Sequence, residues 1–158
     1  MRCDEATFAQ MYESVFPDLY RYAFCILGHP QDAEDAVSEA VMTAYGNIRK
    51  LRKPGSFKSW IFTILANICK KRRRTMGREI HSQEVAAAEL PDQEVDHAEA
   101  LDVRRAFGFL TDEEKEIIGL SVFGGYNSRE IGQMLGQNAN TVRSRRSRAL
   151  RKMEAMLR

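Results

Sequence analysis

The stretch "NSREIGQMLGQNANTVRSRRSRALRKMEAML", Asn127 to Leu157, decides how the C-terminal half folds. Asn127 with Glu130 three residues on is a capping box, so a helix opens there. That helix is short, because Gly136 supplies its stop. "QNAN" (Gln137 to Asn140) reads as a tight turn, and "TVRSRRSRALRKMEAML" as a second, longer helix. Ile131, Leu135 and Val142 fall where the two helices must share a core, and Gly132 puts least bulk where they cross. This is the pattern of a helix-turn-helix. At about 100° per residue, Val142, Ala149, Leu150, Met153, Met156 and Leu157 gather on one side of the longer helix. Arg143, Ser144, Ser147, Arg148 and Arg151 gather on the other, with Arg145 and Lys152 on the flanks. Arg146 falls among the apolar residues, where its aliphatic stem lets the charge snorkel out. Arginine binds guanine bidentately in the major groove, and small serines let a helix approach the bases.

Upstream, "TDEE" (Thr111 to Glu114) is a second capping box, opening a helix with Ile117, Ile118, Leu120, Val122 and Phe123. Before it, periodicity begins near Glu99 with Leu101, Val103, Ala106, Phe107 and Leu110. The stretch from Glu79 to Glu99 has no Lys or Arg, is rich in Asp and Glu and contains Pro91, which reads as a flexible acidic linker. The N-terminal half carries three amphipathic helices. Residues 5–27 place Phe8, Met11, Tyr12, Val15, Phe16, Leu19, Tyr22, Ala23 and Ile26 in one stripe, closed by "GHP" (Gly28 to Pro30). A second helix from about Asp32 turns Ala33, Ala36, Val37, Ala40, Val41, Ala44, Tyr45 and Ile48 inward. After a loop, Arg49 to Ser56, a third from about Phe57 carries Phe57, Trp60, Ile61, Ile64, Leu65 and Ile68. Trp60 sits in that apolar stripe, so core packing is expected of it.

No segment alternates with period two. The expected fold is all-α, with two small helical domains: residues 1–76, a linker over 77–98, and residues 99–158 with the helix-turn-helix. The 158 residues carry a net charge of only +2, but "KKRRRTMGR" (Lys70 to Arg78) and "RSRRSRALRK" (Arg143 to Lys152) are dense positive blocks. Two basic blocks separated by an acidic stretch suggest two nucleic-acid contacts and a connector that takes no part. Cys3, Cys25 and Cys69 stand far apart, which argues against a zinc site or disulfide framework and fits a reducing cytoplasm. No apolar run approaches the ~20 residues that span a bilayer, and the acidic, polar N-terminus is unlike a secretory signal. His29, His81 and His97 fall in loop or linker. No nucleophile with a base, phosphate loop or metal cluster is found, so neither enzyme activity nor a cofactor is expected.

These blocks, in this order, resemble the extracytoplasmic-function (ECF) sigma factors of bacterial RNA polymerase, over nearly the whole chain. "LTDEEKEIIGLSVFGGYNSREIGQMLGQNANTVRSRRSRAL" is similar to the family's second domain, "DAEDAVSEAVMTAY" to its polymerase-binding helix, and "FKSWIFTILANICKKRRR" to its promoter-melting helix. The resemblance implies a cytoplasmic factor that binds core RNA polymerase and promoter DNA, directs promoter-specific initiation, and is held in check by an anti-sigma factor. It implies that the C-terminal domain reads the −35 duplex through Arg143, Ser144, Ser147, Arg148 and Arg151. Melted −10 DNA would be held by Lys50, Lys53 and Ser56 in the loop that captures a flipped base, and by Asn67, Lys70, Lys71 and Arg74. Asp32, Glu34, Asp35 and Glu39 would meet the polymerase.

Two other classes fit parts of the chain. A stand-alone helix-turn-helix regulator explains the arginine helix but leaves the first basic block without a role. A sigma mimic that sequesters an anti-sigma factor has no use for either basic surface.

Overall fold

The computed structural model describes residues 5–76 and 97–157. These form seven α-helices: α1 (Glu5–Leu27), α2 (Pro30–Gly46), α3 (Phe57–Met76), α4 (His97–Gly108), α5 (Asp112–Val122), α6 (Ser128–Leu135) and α7 (Ala139–Leu157). Two short 3-10 turns, Ile48–Lys50 and Pro54–Ser56, bridge α2 to α3. Among the described residues there is no strand, as the absence of period-two alternation requires. The acidic linker lies outside the described residues except at its end, where α4 begins at His97.

Helices α1, α2 and α3 pack against one another. Leu19, Tyr22, Ala23 and Leu27 of α1 meet Ala33, Ala36, Ala40 and Ala44 of α2 and Ile61, Phe62 and Leu65 of α3 in one core. The alanine stripe lets α2 lie close to its neighbours. Pro30 at the first helical positions suits α2, since its missing N–H has no partner there in any case. Helix α1 runs through Pro17 without a break.

Several apolar residues expected inside lie at the surface. Phe16 and Tyr45 are exposed, although Tyr45 still stacks edge-on against Phe8, with ring centroids 5.1 Å apart. In α7, Val142 and Ala149 are buried, but Leu150, Met156 and Leu157 are exposed. Leu150 lies on the edge of its stripe, and the other two occupy the last turn. Val122, in the final turn of α5, is also exposed.

The two halves share a core. Ile117 and Leu120 of α5, Ile131 of α6 and Val142 of α7 are continuous with the buried residues of α1 to α3. A smaller cluster, Phe107, Leu110, Ile118 and Ala149, holds α4, α5 and α7 together, and Cys25 of α1 packs against it. The sequence gives two domains with no stated relation; the structure places them face to face, α1 on α5 and α3 on α6.

Candidate nucleic-acid interface

Both capping boxes form. Thr111 Oγ1 accepts from the Glu114 N–H at 3.2 Å, and the Thr111 N–H donates to Glu114 Oε1 at 2.9 Å. Asn127 and Glu130 do the same at 2.9 Å in each direction. Gly136 ends α6 at φ 69°, left-handed backbone that favours glycine. The Gly132 expectation needs refinement. A Cβ there would lie 2.6 Å from the Gln137 carbonyl oxygen, so the glycine makes room for the returning turn.

This turn delivers α7 with Arg143, Ser144, Ser147, Arg148 and Arg151 all exposed. Arg143 Nη1 donates to Asn140 Oδ1 at 2.6 Å and Arg151 Nη2 to Ser147 Oγ at 3.3 Å. The flanking cations tie back to α5: Arg145 pairs with Glu113 at 3.1 Å and Lys152 with Glu114 at 2.9 Å. Burial pushes the Glu114 carboxyl up, but the Thr111 N–H and the Lys152 ammonium outweigh it and leave it below its ordinary value. Arg146 is half-buried, as its place on the wheel requires. The helix therefore turns an arginine–serine surface outward, anchored along one flank.

A second surface runs along α3. At about 100° per residue, Trp60, Thr63, Asn67, Lys70, Lys71 and Arg74 fall within one stripe. At its start lies a cleft of about 620 Å³, lined by Lys50, Lys53, Ser56, Trp60 and Thr63 from the N-terminal half. The expected −10 residues are thus brought onto one continuous track. Trp60 is only half-buried: it packs on Phe57, centroids 6.3 Å apart, and also lines the cleft. Core packing was only part of its role.

The far wall of the cleft is formed by Tyr126, Glu130, Gln133 and Met134 of the helix-turn-helix half. Nothing in the spacing of the sequence pointed to this. Nor did it point to the partners of Arg72 and Arg73. Arg72 Nη2 meets Glu39 Oε1 at 2.7 Å. Arg73 reaches across to Asp112 at 3.4 Å and to Glu116 at 3.5 Å. Burial pushes the Glu116 carboxyl up, against the pull of Arg73 and Lys70. Burial likewise pushes the Cys25 and Cys69 thiols up to about 12, which keeps them protonated and inert as nucleophiles.

The acidic residues of α2 do not form one face. Asp32, Asp35 and Glu39, at i, i+3 and i+7, share a side of the helix. Glu34 falls on the other side, near enough to Tyr20 to raise its phenol further after burial has done so. Beside Asp35 and Glu39 a shallow depression of about 570 Å³ is lined by Ser38, Met42, Thr43 and Arg72, and Met42 is 75% exposed. An exposed methionine rimmed by carboxylates is a surface suited to a protein partner. No group of residues among those described could hold a metal ion, and no described helix is long and apolar enough to cross a membrane.

A groove-sized arginine helix and a separate cation–aromatic track define a protein equipped to meet DNA in two ways. Residues 11–79 match the family model for sigma-70 region 2, and residues 100–153 match that for sigma-70 region 4. The chain is 31% identical to the RNA polymerase sigma factor SigV of Bacillus subtilis, over 89% of this chain and 84% of that protein. It is 28% identical to the ECF RNA polymerase sigma factor EcfG of Rhodopseudomonas palustris, over 89% and 80%. Among solved structures it is similar to the sigma factor RpoE of Bartonella quintana, in a co-crystal with the anti-sigma factor NepR. There the TM-score is 0.80 and the identity 25%, over 95% of this chain and 96% of that one. The chain belongs to the ECF RNA polymerase sigma factors.

Proposed function

We propose that this chain is a non-enzymatic specificity subunit that binds core RNA polymerase in the cytoplasm and directs initiation at promoters. Arg143, Ser144, Ser147, Arg148 and Arg151 read the −35 duplex. Arginine supplies bidentate contacts to guanine, and the serines keep the helix close to the groove floor. Lys50, Lys53, Ser56, Asn67, Lys70, Lys71 and Arg74 hold the melted −10 strand. The cations follow phosphates, the Asn67 amide meets a base edge, and Trp60 at the cleft offers a ring to an unstacked base. Asp32, Asp35 and Glu39, with Met42 beside them, dock on the polymerase; Glu34 lies outside this surface. Melting draws on captured bases and polymerase contacts, with no nucleotide hydrolysis.

One observation carries this reading. A single chain presents both an exposed arginine–serine helix and, on another element, a cleft that leads onto a cationic stripe from Trp60 to Arg74. A self-sufficient regulator needs only the first. We also infer an anti-sigma partner: the RpoE structure, with which this chain aligns through both halves, was solved with one bound.

Size-exclusion chromatography with bacterial core RNA polymerase tests the assignment. The chain should co-elute with the polymerase, and Asp35→Lys/Glu39→Lys should elute apart from it. A chain that stays apart from the polymerase yet binds duplex DNA unaided would contradict the assignment.

A further inference from the structure

We infer that Asn140 is a further specificity residue of the α7 surface: it positions the Arg143 guanidinium for one base pair, so that the two side chains read DNA as a unit. The role rests on the proposed −35 reading of α7. In the sequence Asn140 closes the turn "QNAN"; in the structure it is the second residue of α7. Counted from Asn140 at about 100° per residue, Arg143 lies about 60° to one side and Arg148 about 80° to the other, with Ser144, Ser147 and Arg151 between. Asn140 thus stands within the arginine–serine surface, at the N-terminal end from which a recognition helix meets base edges. It is exposed there, as Arg143 is.

Arg143 Nη1 donates to Asn140 Oδ1 at 2.6 Å, across one turn of the helix. A guanidinium has donors only, so the amide atom that faces it is the oxygen. The bond uses Nη1 and leaves Nη2 and Nε, one whole edge of the fork, for the O6 and N7 of a guanine. Asn140 is itself held in place. Its N–H donates to Asn138 Oδ1 at 2.8 Å, and the Val142 N–H donates to the Asn138 carbonyl at 3.0 Å. Val142 is fully buried, so the first turn of α7 is fixed to the core. A short amide on a rigid turn therefore meets a long side chain that would otherwise sample many rotamers. Ordering a side chain of that length on binding costs about 2–10-fold in affinity, and a guanidinium already held has less freedom to lose. The gain falls on the base that Arg143 meets. Arg148 stands ~12 Å from Asn140 along the axis, beyond the reach of its amide, and keeps its own preference.

The test uses the full chain with core RNA polymerase, on a promoter located by its mapped transcript start and on single −35 substitutions of that promoter. The variants are Asn140→Ala, Asn140→Asp, Arg143→Ala, Arg148→Ala and the double variant Asn140→Ala/Arg143→Ala. Alanine suits an exposed helical position and an acidic residue suits a first turn, so both Asn140 variants should unfold at the parent's temperature or above. Arg143→Ala and Arg148→Ala identify the base pair that each arginine reads, with a loss of roughly 5–150-fold in discrimination. Asn140→Ala should lower discrimination about 2–10-fold at the Arg143 base pair and leave the Arg148 base pair unchanged. In the Arg143→Ala background it should add nothing. Asn140→Asp keeps an acceptor for Nη1, so it should retain the Arg143 preference while its charge weakens binding to every fragment evenly. Relaxation of the Arg143 Nε–H in the free protein gives a reading without DNA: its order parameter should fall in Asn140→Ala and hold in Asn140→Asp. An unchanged order parameter in Asn140→Ala would overturn the positioning. Equal losses at all base pairs, or a further loss in the double variant, would overturn the unit. If Arg143→Ala alters preference and Asn140→Ala does not, the −35 reading stands and this inference falls. If Arg143→Ala alters none, or no transcript depends on the chain, the −35 reading of α7 fails and takes the unit with it.

Discussion

Arg143 and Lys70 both carry positive charge, but they stand on surfaces that ask different things of it. Arg143 is exposed on the α7 surface and oriented by Asn140. Arg143→Ala should cost about 1–3 kcal/mol and relax preference at one −35 base pair, whereas Lys70→Ala should weaken binding evenly and reduce the salt slope by about one. Binding to promoter fragments with single −35 substitutions, across a salt series, separates the two; equal effects on every fragment would remove the groove assignment. Glu114 offers a pH signature. Its carboxyl lies below the ordinary value, so its contribution to stability is complete above the unfolded-state pKa and is lost as pH falls through the folded one. Denaturant unfolding should therefore show the parent chain losing more stability than Glu114→Gln between about pH 6 and about pH 3, by roughly 0.5–1 kcal/mol. An identical loss in both would mean that neither the Thr111 N–H nor Lys152 holds the Glu114 carboxyl down.

At the scale of elements, what was legible in the sequence was what local chemistry decides. Thr111–Glu114 and Asn127–Glu130 were visible as capping boxes because each needs only two residues at fixed spacing, and both formed. Asn127→Ala should lower the unfolding free energy by about 1 kcal/mol, since the Glu130 N–H loses its acceptor. Thermal unfolding measures this, and an unchanged melting temperature would show that the cap is redundant with the packing of Ile131. The arginine–serine face of α7 was equally legible, because helix geometry alone sorts residues around an axis. Burial at helix ends was not. Leu150, Met156 and Leu157 continue the apolar stripe, yet whether a last turn is covered depends on the length of the neighbours. On α2 the acidic residues read as one group until the 200° between Asp32 and Glu34 is counted.

The whole molecule was the least legible, for a physical reason. Contacts between the halves join residues far apart in the chain, and neither side advertises its partner. Gly119 reads as an indifferent helix glycine until Tyr22 is found against it. Glu116 reads as solvated until it proves 4% exposed and facing Arg73. The track from Trp60 to Arg74 could be drawn from α3 alone, but its far wall of Tyr126, Glu130, Gln133 and Met134 could not. The resemblance to the family supplied the roles proposed for the two basic surfaces, and the structure adds that the two halves share one core.

The most direct test of the central claim is transcription reconstituted from purified core RNA polymerase, this chain and fragmented DNA of its host, with the 5′ ends of the transcripts mapped. The account predicts transcripts that require the chain and start at defined positions. Their upstream DNA should share two elements, and Arg143→Ala should change which starts are used. Transcripts that are absent, or that arise equally without the chain, would contradict it.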